Sequence, residues 1–109
     1  GEFYMDDIVY IVMLEWITSD DNGIDYYIYR SYKEAVNKFN SLIEDECDAD
    51  ISWVGSQVFD ELGEVRDGFI LECNTNNEHS GASDLFWKVS DKYDCRYSNI
   101  TLTKKFIED

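Results

Sequence analysis

The chain has 109 residues, which suits one domain, and its hydrophobic content of 44%, with 16% aromatic residues, is enough to build a core. Disordered acidic chains are poor in aromatic residues, so this composition predicts a folded protein. With 24 acidic against 9 basic residues the formal charge is −15, which argues against binding of nucleic acid or an anionic membrane through overall basicity and favours a cationic partner.

The ends of the chain and its cysteines bear on its compartment. We expect residues 1–4 to be a cloning remnant and residues 5–109 to form a single domain. The apolar run Ile8–Leu14 is far shorter than the ~20 residues of a transmembrane helix, and neither a basic segment nor a cleavage site marks a signal peptide. Three cysteines without paired spacing are typical of a reducing compartment, so we expect a cytoplasmic protein.

The first two predicted elements are strands that form an antiparallel hairpin. Residues 7–17 are apolar on both phases of a two-residue period, which predicts a central strand covered at least in part on both faces. Residues 19–23 are expected to form the turn, with Asn22 and Gly23 as the usual pair of a hairpin turn, and residues 24–30 form the second strand.

The second strand contains three tyrosines, which we assign by phase. Tyr26 shares its phase with two isoleucines and is expected in the core. Tyr27 and Tyr29 share the opposite phase with Asp25 and are expected at the surface, where tyrosines are enriched at interfaces; their covering by the helix is the alternative.

Residues 31–47 have the pattern of an amphipathic helix. Ser31 and Glu34 form a capping box, in which each residue satisfies a backbone amide of the other. Apolar residues then recur at helical spacing and predict one stripe that packs on the sheet: Tyr32, Ala35, Val36, Phe39, Leu42, Ile43 and Cys47.

The rest of the chain completes the predicted sheet. Residues 51–67 favour a short helix or an irregular turn, because Gly55 and Gly63 interrupt any longer helix. Residues 69–73, 85–91 and 99–107 have the composition of strands. The sequence therefore predicts a single α+β domain: an antiparallel sheet of about five strands with one main helix (31–47), in the order β-β-α-(short α or loop)-β-β-β.

Residue patterns for catalysis or for cofactor binding are not found. His79 is the only histidine and lies in a polar stretch, while Cys73 shares a strand phase with Phe69 and Leu71 and is expected in the core. If Gly23 is aligned with the invariant glycine of an EF-hand loop, neither end position of that loop is acidic. We therefore predict no enzyme, no cofactor and no metal.

The remaining feature of the sequence is its Asp and Glu residues, which occur in five clusters. They are Asp20 and Asp21; residues 44–50; Asp60, Glu61 and Glu64; Asp91 and Asp94; and Glu108 and Asp109. B-DNA carries one charge per ~3.4 Å of axis on each strand, and acids on successive turns and adjoining loops approach that density.

Three stretches of the chain resemble small acidic proteins encoded by phages and prophages of low-GC Gram-positive bacteria. They are "YIVMLEW", "YRSYKEAVNKFNSLIEDE" and the terminal "VSDKYDCRYSNITLTKKFIE". The similarity extends over most of the chain in its pattern of elements. It implies an anti-defence inhibitor of the anti-CRISPR type that acts in the bacterial host cell, and it transfers no functional residue.

Two functions therefore compete at the level of sequence. The first is a non-enzymatic inhibitor that covers a basic, nucleic-acid-handling protein, in the manner of a DNA mimic, without binding nucleic acid or membrane itself. The alternative is a toxin-immunity or adaptor protein that binds one partner through an aromatic and acidic patch. The candidate partner-binding residues are Glu44, Asp45, Glu46, Asp48, Asp50, Asp20, Asp21, Tyr27, Tyr29 and Trp53.

Overall fold

The structure, a computed structural model, describes residues 7–47, 55–75 and 85–108. Its elements in chain order are β1 (Ile8–Ile17), β2 (Asn22–Tyr29), α1 (Tyr32–Glu46), α2 (Gly55–Val58), β3 (Phe69–Asn74), β4 (Leu85–Asp91) and β5 (Tyr97–Phe106).

All five strands belong to one antiparallel sheet with the order β2-β1-β5-β4-β3. This confirms the predicted α+β fold class and the order of the elements along the chain. The predicted start of α1 is also confirmed, because the Ser31 hydroxyl accepts a hydrogen bond of 3.3 Å from the Glu34 amide.

The turn between β1 and β2 lies earlier than the sequence predicted. Its backbone is closed by a hydrogen bond from the Thr18 amide to the Asp21 carbonyl, so Asn22 and Gly23 already belong to β2. Gly23 is needed for another reason: a Cβ atom there would overlap the indole ring of Trp16 on the neighbouring strand.

The core lies between α1 and one face of the sheet, which we call the inner face. Four buried residues of α1, namely Ala35, Val36, Phe39 and Leu42, pack there. The sheet contributes six buried side chains that alternate along the three middle strands: Val12 from β1, Leu85, Trp87 and Val89 from β4, and Ile100 and Leu102 from β5. Tyr10 completes this layer with an edge-to-face contact to Tyr32, at 5.2 Å between ring centroids.

The phase predicted for the β2 tyrosines is wrong. Tyr10 pairs with Tyr29 and Val12 pairs with Tyr27, so the odd-numbered residues of β2 share the inner face with the even-numbered residues of β1. Tyr27 and Tyr29 are accordingly half-buried against the core, whereas Tyr26 is 61% exposed on the opposite face. The alternative of covering by the helix is the one observed.

The opposite face of the sheet, which we call the outer face, is apolar over β2 and β1. No described element packs on it, so the expectation that β1 is covered on both faces does not hold within the described residues. Ile24 and Ile28 are 47% and 64% exposed there, next to the half-buried Ile11 and Met13 of β1.

The contact between Gly23 and Trp16 gives a first prediction. Gly23→Ala should lower the free energy of unfolding by about 1–3 kcal/mol, because the new methyl group overlaps the indole ring in a packed sheet. Chemical denaturation followed by tryptophan fluorescence measures this loss. Combining Gly23→Ala with Trp16→Leu should destabilise less than the sum of the two single changes, and strict additivity would contradict the assigned contact.

The phase of the tyrosines gives a second prediction. Tyr27→Ala should cost about 1–3 kcal/mol of unfolding free energy, because it removes half-buried ring surface and the contact with the Lys38 ammonium, which lies 4.1 Å from the ring centroid. Tyr26→Ala should cost less than about 1 kcal/mol, because its ring is exposed. Urea unfolding of dilute protein compares the two variants, and a larger loss for Tyr26→Ala would reverse the assignment of the faces.

Candidate functional site: the acidic end of the sheet

Three connecting segments meet at one end of the sheet. The turn at residues 18–21 joins β1 to β2, and the turn at residues 92–96 joins β4 to β5. Ile17 is paired with Tyr97, which places these two turns at the same end. The segment before β3 arrives there as well, because Phe69 pairs with Asp91 and the Lys92 amide donates to the Gly68 carbonyl at 2.8 Å.

The C-terminus of α1 points towards the same end. Tyr32 in the first turn of α1 contacts Tyr10, which pairs with Tyr29 at the end of β2. Lys38, further along α1, lies over Tyr27, which is closer to the β1–β2 turn. These two contacts show that α1 runs opposite to β2. Since an α-helix rises 1.5 Å per residue, the last turn of α1 lies towards the β1–β2 turn.

We call the collected segments the acidic end. Its described acidic residues are Asp20 and Asp21 from the β1–β2 turn, Glu44, Asp45 and Glu46 from α1, Asp60, Glu61, Glu64 and Asp67 before β3, and Asp91 and Asp94 at the β4–β5 turn. Arg66, Lys92 and Arg96 are the cationic residues that these segments contribute. The described members of four of the five acidic clusters seen in the sequence thus lie at one end, and Glu108 after β5 is separate.

The last turn of α1 contains no basic residue to offset its acids. A helix C-terminus carries partial negative charge, and an exposed carboxylate close to it costs about 0.3–1 kcal/mol. Glu44 and Asp45 are exposed, so solvent moderates this cost. The negative potential of the acidic end is therefore the sum of side-chain carboxylates and the helix dipole.

Two acids at this end are structural and hold the turns in place. Asp91 is only 8% exposed, and its carboxylate accepts hydrogen bonds from the Tyr93 amide at 2.9 Å and the Asp94 amide at 3.3 Å. Asp60 accepts from the Leu62 amide at 2.8 Å and from the Glu64 amide at 2.9 Å. Such side-chain bonds to the backbone order short loops, so the backbone that carries the neighbouring exposed acids has a defined course.

Arg96 links two of the converging segments. Its guanidinium group lies 3.4 Å from the Asp91 carboxylate and donates to the Gln57 side chain of α2 at 3.3 Å. Together with the Tyr93 and Asp94 amides, Arg96 stabilises the charged form of Asp91. The pKa of Asp91 is therefore lowered, with the Tyr93 amide as the largest cause.

The described part of the chain shows no arrangement that suggests metal binding or catalysis. Among its His, Cys, Asp and Glu residues, no group of three or more could hold a metal ion. A pocket of about 200 Å³ lies on the outer face between Ile70, Glu72, Lys88 and Tyr97. This pocket is a depression beside a Glu72–Lys88 cross-strand pair. His79, the only histidine of the sequence, lies outside the described residues.

The candidate partner-binding residues separate into three groups. Asp20, Asp21, Glu44 and Asp45 are exposed at the acidic end, with Glu46 half-buried beside them. Tyr27 and Tyr29 lie on the inner face, half-buried against the core. Asp48, Asp50 and Trp53 lie outside the described residues.

Two features of the surface were missed by reasoning from sequence. Asp67 was not assigned to any acidic cluster, yet it lies with the others because the strand order brings its segment to the same end. Cys73 is exposed and not in the core, since it lies near the end of the edge strand β3. Cys47 is half-buried as the apolar stripe suggested, and burial raises the pKa of its thiol.

Comparisons with protein-family models, with curated proteins and with solved structures find no match for this chain. Neither of the two described helices is long and apolar enough to cross a membrane.

The environment of Asp91 gives a prediction about pH. A carboxyl group whose pKa is lower in the folded state stabilises the fold above its unfolded-state value of about 3.9 and loses this contribution as pH falls through the folded value. Asp91→Asn should therefore be less stable than the wild type at pH 7, and the difference should shrink as pH falls below about 4. Thermal unfolding across this range measures the difference.

Asp94→Asn is the matched control for Asp91→Asn. Asp94 is exposed and lies 3.9 Å from Arg96, so its neutralisation should leave stability nearly unchanged at both pH values. A difference for Asp91→Asn that stays constant with pH would contradict the assigned role of its charge.

Proposed function

We propose that this protein is a non-enzymatic inhibitor that binds a basic, nucleic-acid-handling protein through the acidic end of its sheet. The observation that supports this most is the convergence of four acidic segments from separate parts of the chain. Acids spread evenly over the whole surface would give the same net charge of −15 without concentrating it at one end.

The arrangement suits a partner that normally binds phosphate. The exposed carboxylates are carried on an ordered backbone, so little backbone freedom is lost on binding. Thr18 closes the turn that holds Asp20 and Asp21, and Glu44 and Asp45 belong to α1. Asp60 and Asp91 accept hydrogen bonds from amides of their own turns. A concentrated negative potential also accelerates encounter with a basic surface, and such steering weakens as salt increases.

The proposed site of action is the cytoplasm of a bacterial host cell. The resemblance to small acidic phage proteins supports this setting, and an anti-defence role of the anti-CRISPR type is the corresponding proposal. The partner is then a protein that places a Lys- and Arg-rich groove on nucleic acid, and the inhibitor competes with the phosphate backbone for that groove.

Affinity capture tests the proposal. The wild-type protein is immobilised and exposed to a lysate of a low-GC Gram-positive bacterium at low salt, and the bound proteins are eluted with double-stranded DNA and identified by mass spectrometry. We expect the eluate to be enriched in nucleic-acid-binding proteins, because DNA and the acidic end compete for the same basic surfaces.

A pair of charge-matched triple variants localises the interaction. Asp20→Asn, Glu44→Gln and Asp45→Asn together neutralise three exposed acids of the acidic end; Asp7→Asn, Glu72→Gln and Glu108→Gln neutralise three acids elsewhere. Since an exposed ion pair contributes about 0.2–1 kcal/mol, the first variant should bind each captured protein about 3- to 100-fold more weakly, and the second should bind it almost as the wild type does. An equal loss of affinity in both variants would show that binding depends on net charge alone and would contradict the proposed site.

A toxin-immunity or adaptor protein is the second candidate, and the exposed apolar residues of the outer face favour it. Tyrosine is enriched at protein interfaces, and Tyr26 with Ile24 and Ile28 offers an aromatic anchor in an apolar setting. In the same capture experiment, this function predicts partners that DNA does not elute and that Tyr26→Ala releases.

A further inference from the structure

We infer that β2 is the interface for a second copy of this chain: two copies pair through their β2 edges, antiparallel, and form one continuous ten-stranded sheet. This inference does not depend on the proposed function, because its interface is the edge of β2 and the acidic end enters only through its charge.

The outer edge of β2 has the properties of a strand that can accept another strand. It is the first strand of the sheet, so only one of its edges is paired, and no other described element lies along the free edge. Natural edge strands are usually protected by proline, by inward-pointing charge, by a bulge or by short length. The chain has no proline, and β2 is eight residues long with Ile24, Tyr26 and Ile28 exposed on its outer face. Its one charged side chain, Asp25, lies on the inner face and opposes the addition of a second strand unless that strand brings a cation beside it.

The distribution of charge selects an antiparallel arrangement of two copies. The acidic end lies beyond the first residue of β2, and Arg30 and Lys33 follow its last residue. Antiparallel pairing places the acidic end of one copy beside these cationic residues of its partner. The two acidic ends are then separated by about the length of the strand, roughly 26 Å at 3.3 Å per residue, which exceeds the Debye length of about 8 Å at physiological ionic strength.

Symmetry restricts the register of this pairing to two choices. A twofold axis between antiparallel strands is perpendicular to the sheet, so inner-face residues must oppose inner-face residues. Two registers then pair all but one residue of β2: one places Asp25 opposite Asp25 of the second copy, and the other places Tyr26 opposite Tyr26.

The second register is favoured by charge. In the first register two carboxylates face each other directly across the strands, which is destabilising. In the second register Asp25 lies opposite Tyr27 of the other copy, and the Lys38 ammonium lies 4.1 Å from the centroid of that ring. Each copy therefore offers a carboxylate to the lysine of the other, twice per dimer. On the outer face, Tyr26 stacks beside its symmetry mate and Ile24 pairs with Ile28.

A charge-swap experiment tests the dimer through this Asp25–Lys38 pair. Sedimentation velocity of the full chain at increasing concentrations should show the wild type passing from monomer to dimer. Asp25→Lys and Lys38→Asp should each be monomeric at concentrations where the wild type is a dimer, because each places like charges together across the interface.

Mixing the two single variants is the decisive arm. In a heterodimer of Asp25→Lys with Lys38→Asp both pairs are again of opposite charge, so the mixture should regain the dimer at the wild-type concentration. This rescue also shows that both variants are folded. Pairing within one chain cannot produce it, because each chain still contains only one of the two changes.

Net charge alone predicts the opposite result for one variant. Asp25→Lys makes the chain less negative than its formal −15, so general repulsion between copies falls and association should increase. Glu61→Lys is the control, since it makes the same charge change on an exposed loop of the acidic end, and it should remain a dimer. A wild type that stays monomeric at all concentrations, or variants that dimerise alone as well as when mixed, would overturn the inference.

Discussion

The packing of one helix on one face of the sheet is the constraint on which the rest of the structure depends. β1 and β2 carry apolar residues on both phases, but α1 covers only the inner face, so one set of apolar side chains is buried and the other is left on the surface of the described structure. The register between β1 and β2 decides which set is which. It packs Tyr27 and Tyr29, half-buried, against the core on the side of α1 and leaves Tyr26 between Ile24 and Ile28 in solvent.

Much of the fold could be predicted because local signals were strong. Ser31 and Glu34 mark the start of α1, and its apolar stripe has a single periodicity, so both the element and its buried face follow from the sequence. In β2 the local signal was misleading, since the phase with Ile24, Tyr26 and Ile28 is the more apolar one and is nevertheless the exposed one. The inward face of this strand depends on how many residues form the turn. The sequence predicted a turn at residues 19–23, whereas the turn is closed at residues 18–21 and Asn22 and Gly23 belong to the strand.

The acidic residues of the candidate site could be predicted from the sequence, but their convergence at one end of the sheet could not. Asp20, Glu44, Asp60 and Asp94 were each visible in the sequence as members of acidic clusters, yet they are far apart along the chain. Only the strand order and the direction of α1 bring their segments to one end. The sequence also could not separate surface acids from structural ones, and the buried Asp91 shows that a carboxylate in a cluster can be used to form a turn.

The proposed function requires that the acidic end, and not the outer face, meets a cationic partner. Amide chemical shifts of the labelled protein during titration with a short arginine-rich peptide test this requirement most directly. If the acidic end binds the peptide, the shifts occur in residues 18–21, 44–46, 60–67 and 92–96, and they diminish as salt is added. Shifts concentrated on Ile24, Tyr26 and Ile28, or shifts insensitive to salt, would contradict it.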